Sequence, residues 1–198
     1  MSVQPRIRLN RSFDERSHGY LGYSLWIDGC MENETRKFLI GIGKAAQSGL
    51  SLTAGCRIEG LCQPVADPET ESVEFYKVSK LKVLERPAEE SIVPPPWHGL
   101  SPDLNIYRAR GHRRLNAETY NSKCLTCIWG CRMAVEMIID QWNPQNRRYR
   151  FETFCYGPKR CSFYKAGPTR KVPGRKGMSW EEEDWVDEDA TSHRQPDE

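Results

Sequence analysis

Hydrophobic and polar positions alternate along the first ninety residues with the period of two that is typical of β-strands. In residues 21–29, LGYSLWIDG, every second residue from Leu21 to Ile27 is large and mainly apolar. Residues 36–43, 52–65 and 72–84 repeat this kind of pattern, and short spacers rich in Gly, Asp and Pro separate them. The pattern predicts four or five strands and no long helix, and therefore a mainly β fold such as a small barrel or sandwich.

Residues 15–85 resemble an oligonucleotide/oligosaccharide-binding (OB) barrel in strand number, strand length and placement of glycine. The stretch GCRIEG at residues 55–60 is similar to a G-x-x-φ-x-G strand pattern that is common in such barrels. The resemblance implies a five-stranded Greek-key barrel. Other five-stranded barrels fit this pattern nearly as well, and a fold of this kind does not by itself specify a function.

Proline residues mark a boundary after this region. Pro87, the run PPP at residues 94–96 and Pro102 interrupt the chain, and consecutive prolines favour an extended conformation without strand hydrogen bonds. We predict four segments. An OB-like barrel over residues 1–86 is followed by a Pro-rich and basic linker over residues 87–117 and a cysteine metal-binding module over residues 118–166. Residues 167–198 form a flexible tail that is first basic and then acidic.

Five of the eight cysteines lie in two short clusters, CLTCIWGC at residues 124–131 and CYGPKRC at residues 155–161. The N-terminal residues lack the apolar core of a signal peptide, and no apolar run is long enough to span a bilayer. We therefore expect a cytoplasmic protein without a membrane partner, in which thiols stay reduced. Clustered thiols in a reducing compartment indicate metal ligands or redox groups before disulfides.

The residues between the two clusters are compatible with two structures. In a helix, apolar residues from Val135 to Trp142 would recur at i, i+3, i+4 and i+7, and NPQN at residues 143–146 would end it. In a hairpin, NPQN would be the turn, and aromatic residues and Thr alternate with charges from Tyr149 to Cys155. We prefer the hairpin, because its second strand has a clear pattern and its two open ends would bring the cysteine clusters together.

Cysteine pairs at the open end of a hairpin resemble a zinc ribbon, and this resemblance covers residues 124–161. The second pair departs from it, because its spacing is C-x5-C where C-x2-C is typical. Structural zinc takes four tetrahedral ligands, and a hairpin of this size needs additional stabilisation that a metal can supply. The hypothesis is therefore a zinc site with four thiolate ligands: Cys124, Cys127, Cys155 and Cys161.

A [4Fe–4S] cluster is the alternative cofactor. Such clusters often combine three cysteines that are close in sequence with one remote cysteine. Cys124, Cys127 and Cys131 form a C-x2-C-x3-C run, to which Cys155 or Cys161 would add the fourth ligand. Cys131 is thus the alternative ligand, and an iron–sulfur redox or electron-transfer accessory role is the alternative function.

The remaining residues of chemical interest carry no recognisable site. Cys30, Cys56 and Cys62 fall within the strand-rich region, and we expect them to be small buried apolar residues. His112 is the histidine nearest to the cysteine module, but we do not predict it to be a ligand. Because no phosphate-binding loop, G-x-S-x-G or H-E-x-x-H motif is present, we nominate no catalytic residue and expect a protein that is not an enzyme.

Charge is distributed unevenly along the chain. The net charge is −1 over residues 1–100, +11 over residues 101–176 and −8 over residues 177–198. A basic segment of this kind suggests a polyanion as partner. Two alternatives remain open: the acidic tail folds back onto the basic segment, or it recruits a protein partner, in which case the protein is an interaction adaptor.

Cations and aromatic residues are interleaved within the basic segment. Cations neutralise phosphates while aromatic rings stack on bases, so this composition is typical of proteins that bind single-stranded RNA or DNA. An ordinary hairpin with one solvated Arg face and one packed aromatic face would give the same pattern. The candidate nucleic-acid-binding residues are Arg147, Arg148, Tyr149, Arg150, Lys159, Arg160 and Lys165.

Overall fold

The computed structural model describes residues 2–11, 16–31, 33–88, 94–138, 143, 145, 147–173, 179–182 and 185–195. This part of the chain is mainly β, as the alternating pattern predicts. It contains no helix that is long and apolar enough to cross a membrane.

Ten strands and four short helices make up the described secondary structure. The strands are β1 (Ser2–Arg11), β2 (Arg16–Met31), β3 (Glu34–Ile42), β4 (Arg57–Pro64), β5 (Phe75–Glu85), β6 (Arg113–Arg114), β7 (Gly130–Ile138), β8 (Arg147–Cys155), β9 (Arg170–Pro173) and β10 (Ser179–Glu182). The helices are α1 (Lys44–Leu50), α2 (Leu104–Arg110), α3 (Ala117–Thr119) and α4 (Trp185–Thr191), and α3 continues into a π-helical turn, Tyr120–Cys124.

Eight of these strands form one mixed sheet in the order β4-β5-β3-β2-β1-β7-β8-β6, and β9 and β10 form a separate ribbon. β1, β2 and β3 are an antiparallel meander, β5 returns parallel to β3, and β4 pairs antiparallel with β5. β7 runs parallel to β1 on the opposite side from β2. The alternation did not predict β1, because Pro5 lacks a backbone donor and a proline within a run argues against a strand.

The main core lies on one face of this sheet. β1 contributes Val3, Ile7 and Leu9, and Tyr23 and Leu25 of β2 pack against them. Among the described residues the sheet is not closed, because no pairing joins β4 to β1, whose outer edge takes β7 instead. The mainly β fold is therefore confirmed, but a closed five-stranded barrel is not observed in this part of the chain.

The second half of the chain contains the hairpin and not the helix. β7 pairs antiparallel with β8 from Gly130 opposite Cys155 to Ile138 opposite Arg147. Part of the expected turn at residues 143–146 lies outside the described residues, and so do Ile139 and Trp142. Residues directly opposite each other share a face of the ribbon. Cys131 lies opposite Phe154 and shares its face. Because neighbouring residues of a strand point to opposite faces, the side chain of Cys155 projects from the other face of the hairpin.

Segments outside the two strand-rich regions are also structured. In the predicted linker, Leu104 and Tyr107 of α2 are buried, and Tyr107 belongs to the main core. The described part of the predicted tail contains β9, β10 and α4, and residues 174–178, 183–184 and 196–198 lie outside the description. The described part of the tail therefore has regular secondary structure, and β10 and α4 each contain acidic residues.

Candidate metal centre

A second, smaller core lies between the hairpin and the chain that precedes it. Its buried members are Leu115, Tyr120, Cys124, Cys127 and Cys155, with Trp97, Trp129 and Tyr164 packed around them. All four cysteines that the sequence nominates as zinc ligands line one cavity in this core. The cavity volume is about 10 Å³, which is about the space that one water-sized group needs.

The first two thiols lie on a tight turn. The backbone N–H of Cys127 donates to the carbonyl oxygen of Cys124 at 3.1 Å, and the N–H of Gly130 donates to the carbonyl oxygen of Cys127 at 3.1 Å. A Cβ atom at Gly130 would lie only 2.8 Å from the Cys124 carbonyl oxygen, which explains why glycine follows this turn. The C-x2-C spacing thus directs both thiols toward the same cavity.

The second pair of thiols is joined by a longer loop that Arg113 holds in place. Its guanidinium donates to the carbonyl oxygens of Pro158 and Lys159 at 2.9 and 3.2 Å and lies 3.8 Å from the ring centroid of Tyr164. The N–H of Cys161 then closes a turn onto the Pro158 carbonyl oxygen at 3.1 Å. This loop returns Cys161 to the cavity, so the C-x5-C spacing is compatible with a shared site.

The electrostatics of the cavity disfavour four free thiolates. Burial is the largest cause that raises the pKa of Cys124, to about 12, and that of Cys127, to about 11, and it also raises the pKa of Cys155. Negative charge on the neighbouring thiols raises these pKa values further; for Cys124 the neighbours are Cys127, Cys155 and Cys161. A bound cation would offset both the burial and the mutual repulsion.

Backbone amides act in the opposite direction. The N–H of Gly157 donates to the sulfur of Cys155 at 3.4 Å, and hydrogen bonds from the backbone of Trp129 and Trp97 lower the pKa of Cys127. Amide donors to sulfur stabilise a thiolate and orient it, as groups around a metal site commonly do. The four thiols line one cavity, but the described residues contain no group of three or more His, Cys, Asp or Glu side chains with the geometry to hold a metal ion.

Cys131 lies in the main core and not at this cavity. Its side chain is fully buried, and its thiol donates to the carbonyl oxygen of Pro5 at 3.3 Å. Burial raises its pKa, and a hydrogen bond from the backbone of Ile7 lowers it. The alternative ligand of the sequence analysis thus belongs to the main core and does not line the cavity of the other four thiols.

The expectation that the three remaining thiols are buried is wrong. Cys30 is exposed, and Cys56 and Cys62 are partly exposed. The reason is that β4 is an edge strand of an open sheet, which leaves a cleft of about 390 Å³ between β2–β3 and β4–β5. All three cysteines line this cleft, far along the sheet from the cavity of the four thiols.

The structure distributes the candidate nucleic-acid residues over different environments. Arg148, Arg160 and Lys165 are exposed, and Tyr149 is half-buried. Arg147 is exposed as well, Arg150 and Lys159 are half-buried, and all three contact other groups of the protein. Arg147 Nε lies 3.2 Å from Glu136 Oε1, Arg150 Nε lies 2.5 Å from Glu152 Oε1, and Lys159 Nζ donates to the carbonyl oxygens of Thr191 and Arg194 at 3.2 and 3.3 Å.

Beside β8 lies a groove that the sequence analysis did not anticipate. Its volume is about 340 Å³, and Arg150, Phe151 and the chain at residues 167–169 line it. The guanidinium of Arg132 lies 4.4 Å from the ring centroid of Phe151. β6 pairs only with the Cys155 end of β8, so within the described residues the rest of this edge has no strand partner.

Sequence reasoning also missed the residues that support the cysteine turn, above all Gln4 and Tyr120. Gln4 carries no local signal, because it precedes the turn by 120 residues or more. The chain matches no protein-family model, no curated protein and no solved structure.

Proposed function

We propose that the protein binds one zinc ion and that the metal stabilises the structure of the second module. The ligands are the four thiols that line the small cavity, Cys124, Cys127, Cys155 and Cys161. The observation that carries this proposal is that all four thiols, which come from two separate loops, line the same small cavity. Zinc in structural sites takes four tetrahedral ligands, and a set of four cysteines is common.

Two observations favour a single metal ion over the alternative [4Fe–4S] cluster. A cavity of about 10 Å³ matches one ion much better than a cube of iron and sulfur atoms. The cluster interpretation also used Cys131, which is buried on the other face of the hairpin. Zinc bound here would be a structural cross-link between the start of β7 and the end of β8, in a reducing compartment such as the cytoplasm.

Elemental analysis combined with a visible absorption spectrum tests this proposal on protein that is purified without oxygen. We expect about one zinc per chain and no colour, and loss of the metal in Cys127→Ser. Cys62→Ser is the matched control, because Cys62 lines the separate cleft and its replacement leaves the metal content unchanged. Bound iron with charge-transfer absorption would contradict the zinc proposal and support the iron–sulfur alternative. Protein that contains neither metal would refute the zinc proposal.

We further propose that the first five strands form an open OB-like barrel and that the hairpin is a zinc-ribbon-like module. The order β1-β2-β3-β5-β4, with α1 inserted between β3 and β4, supports the first assignment. It matches an OB barrel, a five-stranded Greek-key fold that is often only partly closed. Two cysteine pairs at the open end of β7 and β8 support the second assignment.

The second candidate function is binding of single-stranded RNA or DNA, and the groove beside β8 favours it. Phe151 offers an aromatic ring, while Arg132 and Arg150 provide cations next to it. The exposed side chains of Arg148, Arg160 and Lys165 belong to the same basic segment of the chain, whose net charge is +11. Stacked bases and neutralised phosphates are the usual basis of such binding.

Fluorescence anisotropy with a labelled oligouridylate tests this second function. We expect affinity that falls steeply with added salt and a loss of about fivefold to 100-fold in Phe151→Leu, because base stacking on one ring contributes that much. Arg57→Gln is the control, since Arg57 is an exposed cation on the remote strand β4. Absence of binding at low salt, or an equal loss in both variants, would contradict the proposal.

A further inference from the structure

The side chain of Gln4 connects the first strand of the chain to the first cysteine turn. Its Nε2 atom donates to the carbonyl oxygen of Cys124 at 2.9 Å and to that of Cys127 at 2.8 Å. These two carbonyl oxygens also accept the N–H groups of Cys127 and Gly130, respectively, which are the hydrogen bonds that close the turn. A single amide group therefore bridges both ends of the segment that carries the first two thiols.

Gln4 is held in this position from its other side. Its Oε1 atom accepts a hydrogen bond from the hydroxyl of Tyr120 at 2.7 Å, and Tyr120 lies at the start of the π-helical turn that leads to Cys124. Both residues are buried, with 1% of Gln4 and 2% of Tyr120 exposed. A buried amide with both of its polar atoms satisfied has one stable orientation, because any other would leave polar groups without partners.

The neighbouring residues show that the fit around Gln4 is close. A Cβ atom at Gly130 would lie 2.8 Å from Gln4 Nε2. Ser2, the next residue of β1 on the same face, donates from its hydroxyl to the carbonyl oxygen of Leu125 at 2.6 Å. Three carbonyl oxygens of the cysteine turn, at residues 124, 125 and 127, are thus bound by two side chains of β1.

We propose that Gln4 is a positioning residue of the metal site and that, through it, β1 and the cysteine turn form one cooperative unit. The inference rests on the proposed binding of zinc. With its carbonyl groups bound to Gln4, the turn holds its two thiols at a fixed spacing before a metal arrives. Residues that orient metal ligands in this way typically contribute about tenfold to 100-fold to metal affinity. Because coupling is reciprocal, the metal also stabilises β1.

Replacement of Gln4 by glutamate tests the proposal in the full-length protein. A carboxylate has nearly the same shape but no N–H to donate, and it adds negative charge beside the thiolates. We expect zinc affinity, measured by competition with a chromophoric chelator, to fall by about tenfold to 100-fold. The absorption bands of the Co²⁺-substituted protein report the geometry of the thiolates, and we expect them to shift in Gln4→Glu.

Gln47→Glu is the matched control. Gln47 is also a buried glutamine, and its Nε2 donates to the Leu52 carbonyl oxygen at 2.9 Å in the α1 region. We expect Gln47→Glu to lower stability without changing the zinc affinity or the Co²⁺ spectrum. If the wild-type protein binds no metal, the proposed zinc function itself fails. If the wild type binds zinc and Gln4→Glu binds it equally well with the same Co²⁺ spectrum, the role of Gln4 alone is refuted.

Two further measurements complete the test. The first replaces Gln4→Glu if that variant does not fold, and the second examines the coupling between the metal and β1. Tyr120→Phe keeps the ring but removes the hydroxyl that donates to Gln4 Oε1, and we expect about fivefold weaker zinc binding from the loss of this bond. Unchanged affinity in Tyr120→Phe overturns the proposal if Gln4→Glu is unfolded. In the wild type, zinc slows amide hydrogen exchange in β1 as well as in the cysteine turn; exchange in β1 that is insensitive to zinc contradicts the coupling.

Discussion

The thiol of Cys131 donates to the backbone carbonyl oxygen of Pro5 at 3.3 Å, although Cys131 follows Cys127 by only four residues. The strand β7 begins between these two cysteines, and its alternating side chains point to opposite faces. Cys127 lies on the turn before β7 and lines the small cavity, while Cys131 is in β7 and packs in the main core with Met133 and Val135 on the same face. One cysteine cluster thus contributes to two cores with different chemistry.

Cys131→Ala separates these two roles. We expect the variant to keep its zinc and to lose about 1–3 kcal/mol of unfolding free energy, because the substitution leaves a small cavity and removes the hydrogen bond to Pro5. Metal content by elemental analysis and unfolding in urea provide the two readouts. A variant that loses the metal while remaining folded would show that Cys131 is a ligand after all.

Gly130→Ala tests the close packing of the cysteine turn. The added methyl group would lie 2.8 Å from both the Cys124 carbonyl oxygen and Gln4 Nε2, and the backbone atom cannot easily move away. We expect a loss of about 1–3 kcal/mol of stability together with weaker zinc binding. The control is Gly49→Ala in α1, where no atom lies within 4 Å and alanine favours the helix, so stability rises by about 0.5–1 kcal/mol.

Glu71 holds two arginines of β1, and its replacement tests a partly buried ion network. Its carboxylate lies 2.5 Å from Arg6 and 2.6 Å from Arg8, with 16% of the Glu71 side chain exposed. Glu71→Gln leaves both cations without a counter-charge, and we expect a loss of about 2 kcal/mol in denaturant unfolding. The exposed pair Arg57–Glu85 is the control, because Glu85→Gln should change stability by less than about 0.5 kcal/mol. Equal effects of the two substitutions would contradict this difference.

The acidic tail provides a test of competition for the basic segment. β10 pairs antiparallel with β9, which places Glu181 opposite Lys171 and Glu182 opposite Arg170 in the ribbon. Replacing Glu181, Glu182 and Glu183 by glutamine removes charge but leaves the contacts of Arg194 with Tyr156 and Gly157 intact.

We expect this triple variant to bind a polyanion such as heparin or oligouridylate up to about tenfold more tightly at low salt. The difference should vanish at high salt, where charge interactions are screened. Unchanged affinity at low salt would indicate that the tail does not compete, and would favour its alternative role in binding a protein partner.

Much of the local structure follows from patterns of neighbouring residues. The strands β2 to β5 and β8 were predictable, because alternating side chains have the same period along the sequence as on the faces of a strand. β1 and α1 were missed, since Pro5 interrupts one pattern and the other element has only seven residues. Exposure of Cys30, Cys56 and Cys62 could not be predicted either, because it depends on whether the sheet closes.

The sequence alone determined the two cysteine pairs and the strand pattern of β8, since both depend on residues that are close together in the chain. The choice between a helix and a hairpin before β8 came from the pairing of β7 with β8. Only the tertiary structure decided which thiols share a cavity, because the faces of β7 and β8 are assigned by their register and not by the number of cysteines. It also placed Gln4 against the cysteine turn, 120 residues or more away along the chain. Contacts of that range arise from the order of strands in the sheet, which no local pattern of residues encodes.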